Sequence, residues 1–375
     1  MTRIIDLTSK YGVYATRLLA ECGHDVIRVE PRSGDAVRRM PPFLGNVVDL
    51  EHGAYHQFFN ANKRSFSAAL NTEAGQDLFS DFVRCADAIV LCESAPVDAT
   101  VIAAANPRAV VVSIEEQEDS DLLAAARSGL LSLVGYPDGM PLLLGGQVEN
   151  CAIGLYAAVA TGAALHHQNN TGAGQTIRVS ARSALEAMME QSVITFSSEG
   201  RIIKRRGFRG EITAASSAFA AADGFWMLSV IAAGKVWDDF VDWVQDPELS
   251  ADPSLADEAQ RHAKRELIAA RLDAWSLRHP KAELIAEAQR RHIPASPVAT
   301  VLEICEDEQL IARGYLLEEQ RAEAAPVRVP RGAIATPRGA SYRRAPTLGQ
   351  HNGEILAELG YSAAEHEMLM SVGAL

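Results

Sequence analysis

A chain of 375 residues is long enough for about two domains and a sizeable interior. Apolar residues make up 48% and charged residues 22%, and no run of about 18 uninterrupted apolar residues occurs, so a soluble globular protein is expected and a membrane span is not. The net charge of −13 argues against duplex nucleic acid or anionic lipid as a partner, and any anionic ligand would need a local basic pocket.

The opening Met-Thr-Arg-Ile-Ile-Asp-Leu-Thr shows no apolar signal core or small-residue cleavage site, which leads to the expectation of a cytoplasmic protein. From there to about residue 115 short β-rich runs alternate with helical ones: Arg3 to Leu7, a helix near Ala15 to Cys22, Val26 to Val29, Ser65 to Leu70, a helix from Glu73 to Cys85, Ala88 to Leu91, and Ala109 to Ile114. That alternation predicts a parallel sheet flanked by helices, although no G-x-G-x-x-G follows the first strand. Helices are then expected over Asp121 to Val134, over the alanine-rich Asn150 to His167 and over Ala181 to Ser197, with a strand at Thr176 to Ser180.

Beyond residue 212 the texture changes. Asp223-Gly224 between Ser217-Ala-Phe219 and Phe225-Trp-Met-Leu228 reads as a hairpin, and amphipathic helices follow near Lys235 to Val244, Glu258 to Leu277 and Lys281 to Arg291. The stretch from Pro326 to Pro346 reads as an extended return, and Glu354 to Leu359 as a terminal helix. The expected architecture is α/β: a parallel sheet flanked by helices, then a smaller α+β domain over 212–317. The five cysteines are scattered without a C-x-x-C pair, so a structural zinc and a disulfide framework both lose support and no metal ligands are assigned.

Several phrases, in order along the chain, resemble the family III CoA-transferases, the carnitine dehydratase and formyl-CoA transferase group. They are Asp6-Leu-Thr, Tyr14-Ala-Thr-Arg-Leu-Leu-Ala-Glu-Cys-Gly-His-Asp-Val-Ile-Arg-Val-Glu30, Gly34-Asp-Ala-Val-Arg38, Asn60-Ala-Asn-Lys-Arg-Ser65, Ser128 to Gly135, Thr171-Gly-Ala-Gly-Gln175, Ile293 to Val298 and Pro346-Thr-Leu-Gly-Gln-His351. The resemblance implies a Rossmann-like large domain built from both chain ends, over 1–205 with a return segment over 318–375 completing it, and an interlocked dimer of linked rings. It also implies a reaction in which an aspartate attacks an acyl-CoA, and CoA passes to a new carboxylic acid through an enzyme-bound thioester. Coenzyme A or its thioesters would be the substrate or ligand, and no covalently bound cofactor is expected. A related branch, the α-methylacyl-CoA racemases, uses the same fold for proton transfer.

The chain departs from that pattern at the decisive place. In Gly-Gly-Gln-Val-Glu-Asn-Cys-Ala-Ile-Gly-Leu-Tyr the position of the nucleophilic aspartate is Asn150. Placed before an apolar helical run, Asn150 reads as a helix cap, a role an amide fills as well as a carboxylate, but it has no anionic oxygen to attack a thioester. The neighbouring Glu149 is the one candidate substitute, pointing in a different direction. The family's Gly-rich gate is replaced by Glu115-Glu-Gln-Glu-Asp-Ser120, which reads as a solvated acidic loop and lacks the racemase histidine; the Glu-Asn-Phe CoA contact is replaced by Cys92-Glu-Ser-Ala-Pro-Val97. Arg38, Asn62, Lys63 and Arg64 remain as candidates for CoA phosphates, with a fold-supporting role as the alternative. These losses favour the non-catalytic subunit of a heteromeric CoA-transferase, paired with an aspartate-bearing relative. An autonomous transferase using Glu149 or carrying an engineered Asn150, a racemase, a homodimer and a plain CoA-binding protein stand as alternatives.

Overall fold

The computed structural model describes residues 2–116, 120–207, 216–230, 235–321, 324–334 and 341–375. Residues 117–119 of the acidic loop, the first residues of the smaller domain (212–215) and Pro337 of the return lie outside the described residues. The chain folds into two compact units, one of residues 1–131, 143–202 and 311–375, the other of residues 132–142 and 203–310.

Six strands of the first unit form one sheet: β1 (Arg3–Leu7), β2 (Asp25–Glu30), β3 (Arg64–Ser67), β4 (Ala88–Cys92), β5 (Val110–Glu115) and β6 (Thr176–Ser180). All pairings are parallel, in the order β3-β2-β1-β4-β5-β6. The helices of this stretch are α1 (Val13–Glu21), α2 (Ala54–Phe59), α3 (Glu73–Cys85), α4 (Ala99–Ala105), α5 (Asp121–Arg127), α6 (Val148–Thr171), α7 (Ala181–Ala187) and α8 (Glu190–Glu199).

Strand residues alternate between two cores. Ile4, Val26, Val90 and Val112 pack with Ala15, Leu19, Ile153 and Ala157 of α1 and α6, while Ile5, Ile27, Ile89 and Val111 pack with Phe79, Phe82, Ile355 and Leu369. Cover on both faces is why β4 reads Ala-Ile-Val-Leu-Cys, without polar alternation. The small residues of α6 let it approach α1 closely: a Cβ added at Gly154 would stand 2.9 Å from the Cβ of Tyr14 and 3.1 Å from the Ala15 amide nitrogen. Among the described helices α6 alone is long and apolar enough to cross a bilayer, yet its Ile153, Ala157, Ala164 and Leu165 are core residues.

In the second unit β7 (Ser216–Ala221), β8 (Gly224–Ser229) and, after helices α9 (Lys235–Val244), α10 (Pro247–Ala251), α11 (Glu258–Ala263), α12 (Arg265–Ser276) and α13 (Lys281–Arg290), β9 (Ala295–Pro297) form an antiparallel sheet. Trp226, Phe240, Ile268 and Leu272 centre its core, and α14 (Val301–Glu306) follows. Next come α15 (Glu308–Ala312), the antiparallel pair β10 (Leu316–Arg321) and β11 (Ala324–Pro330), α16 (Asn352–Glu358) and α17 (Ala363–Ser371).

Four expectations change. The helix from Asp121 ends at Arg127 because Gly129 is left-handed at φ 87°, where the chain turns into a 3-10 segment. The run Ala181 to Ser197 divides into α7 and α8 at Met188, and the run Glu258 to Leu277 divides at Lys264. The start of the expected extended return, at Pro326, lies in the second strand of a hairpin.

Candidate active site

At the amino end of α6 the loop Gly145-Gly146-Gln147 turns through left-handed geometry at Gly146 (φ 76°) and Gln147 (φ 60°), and the helix begins at Val148. Asn150 is therefore the third residue of the helix, not its cap. The capping position belongs to Gln147, which makes no side-chain cap bond. Instead the Asn150 Nδ2 donates to Gln147 Oε1, tying the first turn to the loop. Asn150 is only 2% exposed, and its Oδ1 has no partner among the described residues.

Glu149, one residue earlier, is also buried, and its Oε1 has no partner among the described residues. Its carboxylate lies in the first turn, where the helix dipole favours negative charge. On the other side Cys151 is half-buried against the cluster of Val13, Val37, Phe59 and Tyr14. Burial pushes the Cys151 thiol pKa up, so the thiolate that a nucleophile requires is disfavoured. The turn thus presents a carboxylate, an amide and a thiol whose thiolate is disfavoured in succession, with no histidine or lysine among the described residues bonded to any of them.

The four basic or amide candidates are engaged within the protein. Arg38 is fully buried; Nε and Nη2 grip Glu30 at 2.6 and 2.8 Å, Nη1 reaches Glu51 at 2.9 Å and Leu50 O at 3.3 Å, and Nη2 also meets Pro346 O at 3.2 Å. All five N–H groups have acceptors, leaving none for a phosphate. Lys63 Nζ donates to Asp6, Val13 O, Thr16 and Asn60 within 3.0 Å. Arg64 binds Asp25, Glu354 and Glu358, and Asn62, at φ 67°, holds the main chain of Arg343 from both sides. These residues knit β2, β3 and the return segment together.

Their electrostatics fit that duty. Burial opposes ionisation of Asp6, but Lys63 and Arg28 beside it outweigh burial and hold its pKa below the ordinary carboxylate range. Burial lowers the pKa of Lys63 to about 7 despite Asp6. His56, buried beside Arg38, is brought down to about 3 by desolvation and by that guanidinium, and so stays neutral.

A cavity with room for a ligand lies elsewhere, at the carboxyl ends of β1, β2 and β4. There the strand order reverses from β1 to β4, the place where open parallel sheets bind nucleotides. It encloses about 690 Å³ and is lined by Ser9, Glu30, Arg32, Gly34, Asn71 and Ser94, among others. Arg32 is its exposed cation; Arg28, also in the wall, is bound to Asp6 and Asp35. Glu116 closes the adjoining end: its carboxylate accepts from Ser9 Oγ and, at 3.1 Å, from the Ser94 amide. The described start of the acidic loop is thus anchored to the crevice, against the expectation of a solvated run.

Sequence reasoning missed Ser9, Arg32 and Asn71. Their signal was position, immediately after the carboxyl ends of β1, β2 and β3.

The chain is 28% identical over 386 residues to a succinyl-CoA:mesaconate CoA-transferase of Haloarcula marismortui, spanning 96% of this chain and 95% of that one. It is also 28% identical over 407 residues to the succinyl-CoA:(R)-benzylsuccinate CoA-transferase subunit BbsE of Thauera aromatica, covering 100% and 97% of the two chains. A crystal structure of a CAIB/BAIF family protein from Brucella suis matches with a TM-score of 0.82 at 26% identity, over 96% of this chain and 98% of that one. The model of CoA-transferase family III matches residues 2–352, and the chain belongs to that family.

Proposed function

We propose that this chain is the non-catalytic subunit of a heteromeric CoA-transferase, one that moves CoA between an acyl-CoA and a carboxylic acid on a nucleophile supplied by an aspartate-bearing relative. The observation that carries the reading is Asn150: a buried amide in the first turn of α6, where the family reaction needs a carboxylate. Neither neighbour replaces it readily, since Cys151 is held protonated and Glu149 occupies a different direction on the helix. The likeness to a relative itself named as a subunit supports a divided enzyme.

The crevice at β1 and β4 is the proposed seat of the nucleotide end of CoA, with Arg32 and the loop amides after β2 and β4 facing the phosphates in place of Arg38, Asn62, Lys63 and Arg64. An interlocked pairing of subunits accords with exposed apolar side chains on α6 (Leu155, Tyr156, Val159) and α8 (Val193, Ile194, Phe196). The domain division at about 205 to 212 and 317, and a cytoplasmic location, belong to the same proposal.

A second reading has its own observation. Glu149 Oε1 is buried without a partner, as a carboxylate awaiting substrate would be, so an autonomous enzyme acting through Glu149 is the rival. Expressing the chain alone and together with an aspartate-bearing relative separates them. The heteromeric reading expects transfer of CoA only from the pair; full activity from the purified chain alone overturns it.

A further inference from the structure

A second cavity, of about 470 Å³, lies between Glu51 and the return segment, in the size range of small-molecule sites. Its lining shares no residue with the crevice. Glu30, which lines the crevice, and Glu51, which lines this cavity, are the two carboxylates of Arg38, so the buried arginine stands between them.

In a protein of net charge −13 this cavity is rich in donors. Arg343 donates from Nη2 to Asn62 O at 2.8 Å, leaving Nε and Nη1 without acceptors among the described residues. Arg344 pairs with one carboxylate among the described residues, Glu319, at a long 3.8 Å. Gln350 uses its Oε1 to accept from the Thr347 amide at 2.9 Å, which leaves its NH₂ to donate. The Ser65 amide donates to His351 Nδ1 at 3.2 Å, so the imidazole proton resides on Nε2. The carboxylate in the wall, Glu51, has both oxygens engaged: Oε2 accepts from Arg38 at 2.9 Å and Oε1 from the Leu348 amide at 3.0 Å. Lys63 also lines the cavity, but its ammonium is paired with Asp6 and its donors are engaged.

We propose that this cavity is an anion site separate from the crevice, built for a phosphorylated small molecule. Two guanidinium forks, an amide and an imidazole N–H offer donors from several directions, which suits the many oxygens of a phosphoryl group better than a single planar carboxylate. The cavity is filled independently of CoA.

Titration calorimetry on the full chain, with pyrophosphate and succinate as probes, tests this. Pyrophosphate is expected to bind, with succinate at least about tenfold weaker. Arg344→Gln is expected to weaken pyrophosphate by about tenfold, and Arg343→Gln with Arg344→Gln by more. CoA binding is expected to be unchanged by Arg344→Gln. Circular dichroism verifies folding, and Arg344→Gln alone serves if the double variant fails to fold. Absence of pyrophosphate binding, equal binding by the variants, or succinate binding as tightly as pyrophosphate overturns the proposal.

Discussion

Arg38 and Glu30 form a two-pronged ion pair inside the protein, Nε to Oε1 at 2.6 Å and Nη2 to Oε2 at 2.8 Å, with both side chains fully buried. A pair of this kind is costly to break because the surviving charge is left without water. Arg38→Ala is expected to lower stability by about 3–5 kcal/mol, and Arg38→Lys to recover only part, since an ammonium cannot reproduce the fork. Urea unfolding midpoints measure the loss. A variant that keeps its stability but loses CoA binding would instead return Arg38 to the phosphate-binding role.

Behind Arg38 runs a chain of polar contacts. Lys63 donates to Asn60 Oδ1 at 3.0 Å, which turns the Asn60 amide nitrogen toward His56 Nδ1, also at 3.0 Å, and leaves the His56 proton on Nε2 facing Pro346 O. With a folded pKa of about 3 against an ordinary 6.5, His56 takes up its proton only in the unfolded chain between those values. Stability should therefore be intact above pH 6.5 and decline as pH falls from there toward 3, by at most about 1.4 kcal/mol per pH unit from this group. Unfolding curves across that window check it, and His56→Gln should flatten the slope.

At Gly154 the approach of α6 to α1 leaves no room for a side chain. Gly154→Val is expected to cost about 1–3 kcal/mol through overpacking, more than any helix propensity it gains. Gly162, in the same helix with nothing within 4 Å of an added Cβ, is the control: Gly162→Ala should be neutral or stabilising. Thermal denaturation of the two variants reads the difference.

Restoring one carboxylate should not restore the enzyme. Asn150→Asp places an anion in the first turn of α6, but the anchored Glu116 and the missing family contact after β4 remain. The expected outcome is no measurable CoA transfer by the purified variant alone. Robust transfer would mean that Asn150 is the sole obstacle.

The centre of the sheet was legible because β4 is an unbroken apolar run and β5 opens on three valines, with an amphipathic helix, α3, before them, whereas β2 and β3 carry buried Arg28, Glu30 and Arg64. The place of Asn150 was not. Cap reasoning looks for an Asn or Asp at the boundary, whereas this helix starts two residues earlier on a left-handed Gln147 that bonds through its side chain to Asn150. Nor could sequence show that Arg64 meets Glu358, 294 residues away, or that Glu30 and Glu51 close around Arg38. Basic residues in a family phrase look alike whether they hold a ligand or the fold, and only their partners separate the two.

The most direct test of a silent site on α6 is chemical trapping. The purified chain, alone and in complex with an aspartate-bearing relative, is incubated with succinyl-CoA, treated with hydroxylamine or borohydride, and analysed by peptide mass spectrometry. The account predicts no adduct on the peptide carrying Glu149, Asn150 and Cys151, with modification confined to the partner's aspartate. A hydroxamate or reduced thioester at Glu149 would contradict it.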